Sequence, residues 1–231
     1  MKCAIMQPTF FPWIGYFHLI NEVEKFVFLD DVQFSKGSWH NRNKILLSNK
    51  VSWLTLPIKK RSLLTLLNQI EVIDKDVLKN KINIKIKEAY KNHKNYSCVI
   101  EITDFLENLK TLSLTEINIS IIKYISAKLG NNKVKFINSS DLKVKGKRTE
   151  KVINILDKIS ASKYISTPGA EDYLSEDNYR SKTKIPISFI NYFKKEYSQK
   201  GITNFVSNLS IIDVIANIGW SKTSDYIKLK V

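Results

Sequence analysis

Apolar residues run unbroken over 3–6 and 26–29, and between these runs they recur every three positions at Ile14, Phe17, Ile20 and Val23. Short β-rich runs read as buried strands and the threefold spacing as an amphipathic helix, so the first thirty residues predict strand (2–6), helix (14 to about 24) and strand (26–29). The intervening Gln7-Pro8-Thr9-Phe10-Phe11-Pro12 carries two prolines, which forbid a regular element and force an extended turn. Such a βαβ unit has a right-handed crossover and parallel strands. It therefore places Gln7 and the Asp30-Asp31 pair together at the carboxyl edge of a sheet, where open α/β folds bind ligands.

Further along, 51–59 reads as a strand whose Pro57 marks an edge or an end. Residues 74–96 read as helix, although alternation at Ile82, Ile84 and Ile86 keeps a strand open there. Segments 97–109 and 113–129 are amphipathic helices, the second stopped by Gly130-Asn131. Strand 134–138, helix 149–160 and strand 164–166 repeat the opening rhythm. The segment from Thr167 opens a loop or helix start at the same sheet edge; 186–192 is a last strand, 196–204 a loop, and 210–218 a closing helix capped by Ser210. The prediction is an α/β fold, a Rossmann-like three-layer sandwich with a mostly parallel sheet, forming one domain over 1–231 with 75–130 as a helical insertion or lobe.

Composition narrows the function classes. Of 231 residues 43% are hydrophobic and 26% charged, too apolar to stay disordered. No apolar stretch approaches the roughly 18–20 residues of a membrane span, and 3–6 is too short for a signal-peptide core, so a cytoplasmic protein without membrane insertion is expected. Cys3 and Cys98 lie far apart in apolar settings, which argues against a disulfide scaffold or a Cys-based zinc site, and no His/Asp/Glu spacing resembles a metal triad. Seven glycines without a Gly-rich Lys-Ser/Thr pattern count against a phosphate loop. The net charge of +15 admits a polyanion such as tRNA, but the excess is mostly Lys, accompanied by abundant Asn and Ile, and falls over 75–94 and 133–163, which favours a solvated surface.

Candidate chemistry is concentrated before residue 44. Trp13, Tyr16 and Trp39 stand in loops beside Pro and Gly, where large rings either line a pocket or anchor the loop as a small core. Asp30 and Asp31 cannot both point the same way at a strand end; one faces the site, Asp30 by expectation, and the other caps a turn or pairs with a base. His18, in the first helix, could help bind an anion or simply hydrogen-bond within the fold. His40 and Arg42, flanked by Asn41 and Asn43, offer donors suited to phosphate or carboxylate. The first turn is also loosely similar to the strand–loop–helix of nucleotidyltransferases, with one His where those enzymes present two.

The series Gln7-Pro8…Phe11-Pro12-Trp13-Ile14-Gly15-Tyr16-Phe17, Phe26-Val27-Phe28-Leu29-Asp30-Asp31-Val32-Gln33-Phe34, Lys36, Trp39, Asn41-Arg42-Asn43 and Trp53-Leu54-Thr55-Leu56-Pro57 resembles the WbqC-like family. Tyr164-Ile165-Ser166…Gly169…Asp172-Tyr173-Leu174, Tyr197…Gln199 and Leu209-Ser210-Ile211-Ile212-Asp213…Asn217-Ile218-Gly219 fit the same pattern, with Thr167-Pro168 where the family often has a second Gly. The resemblance implies a place in bacterial O-antigen and surface-polysaccharide gene clusters, for which a glycine transferase role has been suggested. Joined to the residues, it implies a transferase that attaches a small acyl or aminoacyl group to a nucleotide-linked amino sugar. Arg42 and His18 would hold phosphates, Trp13 or Trp39 stack on a ring, and Asp30 act as base. Gln7, Tyr16, Asp31, Gln33, Lys36, His40, Asn41, Asn43, Gly169, Asp172, Tyr173, Tyr197 and Gln199 would complete the binding set. A noncatalytic nucleotide-sugar-binding or assembly protein, or a nucleotidyltransferase-like enzyme, is the alternative; the residues name no cofactor and no oligomeric state.

Overall fold

The computed structural model describes residues 1–62, 64–74, 76–192 and 196–228. β1 (Lys2–Met6), α1 (Ile14–Asn21) and β2 (Lys25–Phe28) form the predicted unit, Cys3 to Met6 lying in parallel register on Lys25 to Phe28. β3 (Arg42–Leu47) and β4 (Lys50–Thr55) follow as an antiparallel hairpin outside the main sheet. Its first strand takes in Arg42 and Asn43 from the polar loop expected around His40–Asn43, and His40 and Asn41 stay in the turn before it. Ser48 and Asn49 both take positive φ, as a type I′ turn requires, and this two-residue turn fixes the hairpin register. β4 ends at Thr55, short of Pro57, because a proline cannot donate to the ladder.

Helices α2 (Ile84–Tyr90), α3 (Tyr96–Glu107) and α4 (Leu114–Lys128) come next, α2 entered through a π-helical turn over Leu78–Asn83. The Ile82/84/86 alternation resolves as helix: Ile82 and Ile86 share a buried face one turn apart, while Ile84 is exposed. Ser113 caps α4 by accepting from the Glu116 amide. β5 (Lys135–Asn138), α5 (Ser139–Leu142), α6 (Arg148–Lys158), β6 (Lys163–Ser166), α7 (Glu171–Glu176), α8 (Tyr179–Lys182), β7 (Ile187–Phe189) and α9 (Ile211–Lys228) complete the order.

The main sheet runs β5-β2-β1-β6-β7 with every pairing parallel. Alternate side chains serve its two faces. Ala4, Phe26 and Phe28 join α1, α2, α3, α4 and α9 in one apolar cluster, whereas Cys3, Ile5 and Val27 join α6, α7 and α8 in the other. The architecture is a Rossmann-like α/β sandwich, and the helices between the hairpin and β5 share the core of the first face. From central β1 the chain lays β2 and β5 to one side, then crosses through α6 on the opposite face to place β6 and β7 on the other. The strand order thus reverses between β1 and β6, and such a reversal leaves a crevice outside the carboxyl ends of those two strands. Among the described residues no helix is long and apolar enough to cross a membrane.

Candidate functional site

The loop leaving β1 enters that crevice in a fixed shape. Its prolines remove donors, so the loop's stability depends on who serves its carbonyls. Tyr16 Oη donates to Gln7 O at 3.2 Å, Asn118 Nδ2 to Pro8 O at 3.1 Å, Asn43 Nδ2 to Phe10 O at 3.2 Å and Phe11 O at 2.6 Å, and the Ile211 amide to Pro12 O at 2.9 Å. Asn118 also donates to His40 O at 2.7 Å, and the Phe10 amide donates to Trp39 O at 2.9 Å, tying the loop to the segment entering β3. Phe11 is held at φ 44°, a left-handed conformation that costs a non-glycine residue of order 1–3 kcal/mol and persists here because its neighbours over-determine it.

This frame carries an aromatic cleft of about 330 Å³, lined by Met6, Thr9, Pro12, Trp13, Tyr16, Trp39, Asn43 and Asn208. Trp13 and Tyr16, at the start of α1, meet Trp39 from the segment before β3 there, at the end of β1. The Trp13 ring meets Tyr192 edge-on at 4.9 Å, so it also walls off a narrow cavity lined by Tyr197, Phe205 and Tyr226. Burial pushes the Tyr16 hydroxyl well above its ordinary pKa, so it stays a donor. Two other hollows of comparable size lie elsewhere. One, lined by Asp76, Lys79, Asp104, Glu107 and Lys110, is a charged groove on the helical side; the other lies among α7, α8 and β7. The aromatic cleft is walled mostly by apolar side chains and opens at the carboxyl end of central β1, the side of the sheet on which open α/β folds place their ligands.

The paired acids are both engaged. Asp30, 4% exposed, reaches across to the start of α5: its Oδ1 accepts from Ser139 Oγ and the Ser140 amide, each at 2.9 Å, and its Oδ2 from Ser140 Oγ at 2.7 Å. Ser139 Oγ sits between Asp30 and Asp31, and Asp31 Oδ2 pairs with Lys151 Nζ at 2.7 Å. Ser139, Ser140 and Lys151 carry no sequence signal of this role, because their partners lie more than a hundred residues away.

The donors expected to converge around residue 40 diverge instead: His40 and Asn41 belong to the turn that precedes β3, and Arg42 and Asn43, within β3, send their side chains to opposite faces. His40 Nε2 donates to Gln7 Oε1 at 2.8 Å, Asn41 Nδ2 to Leu56 O at 2.9 Å, and Asn43 turns inward to the loop. Burial pulls His40 down to about pKa 4, so it is a neutral architectural group at pH 7. Only Arg42 of the four faces outward, its guanidinium 4.2 Å over Trp53 and donating to Gly37 O. His18 is buried with Nδ1 donating to Ile227 O and its ring 5.5 Å from Tyr192, so α1 and α9 are joined through it.

Other predicted residues scatter. Gln33 forms a backbone bridge to Leu66, and Lys36 is exposed. Gly169, with open space where a Cβ would point, and exposed Asp172 follow β6, while Tyr173 packs into the α6 face. Tyr197 and Gln199 belong to a buried network on α9: Asp213 accepts from Tyr197 Oη at 2.7 Å, Tyr90 Oη at 3.2 Å and Gln199 Nε2 at 3.4 Å. Burial raises Asp213 to about pKa 6 against these donors.

A family model described as the WbqC-like protein family matches residues 7–225. A Mycobacterium tuberculosis protein described as uncharacterized protein Rv1507c is 27% identical to this chain over a 247-residue alignment covering 98% of the chain and 97% of the relative. No solved structure matches it significantly.

Proposed function

The chain belongs to the WbqC-like family, and from that premise we propose that it is a transferase of surface-polysaccharide biosynthesis, which attaches a small aminoacyl or acyl group such as glycine to a nucleotide-linked amino sugar. The observation that carries the binding half of this reading is the preformed cleft of Trp13, Tyr16 and Trp39 at the carboxyl end of central β1. Aromatic faces suit the apolar face of a sugar ring, and a rigid loop lowers the entropy lost on binding. In the proposal Asn208 supplies a polar contact within the cleft, while Asn43 holds the loop that shapes it. Asp30 is the base toward the sugar amine: it takes the amine's proton as the nitrogen forms the amide bond to an activated acyl carbonyl and the bond from that carbonyl to its carrier breaks, the carrier leaving; among the described residues its Oδ2 accepts from Ser140 Oγ, which leaves that oxygen acceptor capacity.

The commitment of Asp30 and His18 to bonds within the fold favours a second reading, a noncatalytic nucleotide-sugar-binding protein of the same process. Titration calorimetry with UDP- and dTDP-linked amino sugars, followed by mass spectrometry for acyl transfer from activated glycine, separates the two. The transferase reading expects micromolar-class binding that falls at least tenfold in Trp13→Ala, and turnover that Asp30→Asn abolishes with binding retained. Binding without turnover in the wild type would assign the second reading, and absence of binding to every nucleotide sugar would reject both.

A further inference from the structure

Across Trp39 from the cleft the hairpin presents a second surface. Trp39 and Trp53 are 45% and 38% exposed, with ring centroids 5.5 Å apart and planes tilted by 40°. Lys44 stands directly opposite Trp53 in the β3–β4 register, its ammonium 5.4 Å from the Trp53 ring and 5.9 Å from that of Trp39. Arg42, two residues earlier on the same side of the strand, lies over Trp53. Neither cation forms an ion pair among the described residues, and Arg42 Nε is buried without a hydrogen-bond partner there. Lys85 adds a third positive charge by donating to Trp53 O at 2.8 Å.

Two indoles held in water-accessible positions beside cations that lack carboxylates are a costly arrangement for a solvated surface, and it matches one ligand chemistry. Planar heteroaromatic rings stack on indoles, and phosphates take hydrogen bonds from guanidinium and ammonium groups. Because Trp39 also lines the cleft, a ligand spanning both places would put a sugar in the cleft at the end of β1 and its flat anionic end on the hairpin.

We propose that Trp53, Lys44 and Arg42 form a nucleotide subsite, continuous through Trp39 with the aromatic cleft, that takes the base and diphosphate of a nucleotide-linked sugar. This assignment rests on the reading of the cleft as a sugar site only for the sugar end; the nucleotide end is tested separately. Lys44 and Arg42 swing from the indole faces to the phosphates, and the vacated face of Trp53 receives the base.

The test is calorimetric titration of the full chain with ADP, GDP, CDP, UDP and dTDP, and with the UDP- and dTDP-linked amino sugars, in the wild type, Trp53→Ala, Lys44→Ala and Trp13→Ala. Unfolding curves report whether each variant is folded, and Trp53→Phe serves as the conservative control. The expected result is that Trp53→Ala and Lys44→Ala each weaken one nucleoside diphosphate roughly tenfold and its sugar conjugate equally, that Trp53→Phe retains most of the affinity, and that Trp13→Ala weakens the conjugate alone. Nucleotide-sugar binding unaffected by Trp53→Ala and Lys44→Ala would overturn the subsite and leave the cleft reading intact. Nucleoside diphosphate binding sensitive to Trp53, with no gain from the attached sugar, would keep the subsite and reject the cleft as a sugar site. No binding of any nucleotide, or capture only of single-stranded oligonucleotides with a steep salt dependence, would overturn the subsite.

Discussion

Gly15 stands in the first turn of α1 beneath the Trp13 indole, and a Cβ built there would lie between 2.2 and 2.6 Å from three ring carbons. In an open helix, Gly→Ala would stabilise by up to about 1 kcal/mol; here the clash outweighs that gain and drives Trp13 off the cleft wall. Gly15→Ala is therefore expected to lower both the unfolding midpoint and ligand affinity, whereas in a Trp13→Ala background the same change should stabilise. A stabilising effect in the wild type would show that the ring does not need the glycine. His40 and Asp213 supply opposite pH dependences. His40, lowered by burial to about 4, takes up its proton more readily in the unfolded chain, so its contribution is complete above about pH 6.5 and is lost as pH falls towards 4. Asp213, raised by burial to about 6, binds its proton more tightly when folded, so its contribution is complete below about pH 4 and is lost as pH rises to 6. Each effect is on the order of 3 kcal/mol. Relative to the wild type, Asp213→Asn should lose stability more steeply on acidification from pH 6.5 to 4.5, and His40→Asn less steeply. Urea midpoints across that range check both, and parallel profiles for the three proteins would contradict the assignment.

The closing helix shows what an element's own sequence conveys. Its apolar spacing predicts a helix ending at 218, and α9 does break there, but it resumes and runs to Lys228. The break is Gly219, at φ 77° and ψ 173°, a region open essentially to glycine alone. Asn95 Nδ2 serves the carbonyls freed at the break, donating to Ala216 O at 3.3 Å and Asn217 O at 3.0 Å, and its side chain fills the space a Cβ would need. The redirected second half brings Ile227 O to His18. Gly219→Ala is expected to cost roughly 2–3 kcal/mol of stability, read from denaturant unfolding at constant m; a loss below about 0.5 kcal/mol would mean the helix straightens freely. The hairpin was legible in principle, because Ser48-Asn49 between two apolar runs is a turn signal, yet the polar residues on either side of Arg42 disguised β3 as loop. β3 shows no clean apolar alternation because its inward residue Asn43 is polar, serving the loop carbonyls, and Ile45, Leu46 and Leu47 follow in a row.

At the scale of the molecule, unbroken apolar runs and period-three apolar spacing carried the α/β class, the opening βαβ unit and most helix and strand positions, since a short run buried on both faces or a one-sided stripe is a local property of the chain. The aromatic residues of the cleft were legible too, because large rings beside Pro and Gly have few roles outside a packed or binding site. The pairing of β1 with β6, and hence the crevice, was not, because it depends on which strand the chain adds on which side of β1. The polar candidates illustrate the same division. Asp30 on Ser139 and Ser140, His40 on Gln7, Asn118 on Pro8 and Gln199 on Asp213 each find a partner that only the folded chain brings near, and a donor or acceptor read alone cannot reveal whether a ligand or the protein will satisfy it. The amino-acid order by itself thus determined most of the elements, the family and the aromatic residues of the cleft; the tertiary structure decided where the strand order reverses and which polar groups support the loop, because hydrogen bonds between distant residues exist only after the core has closed.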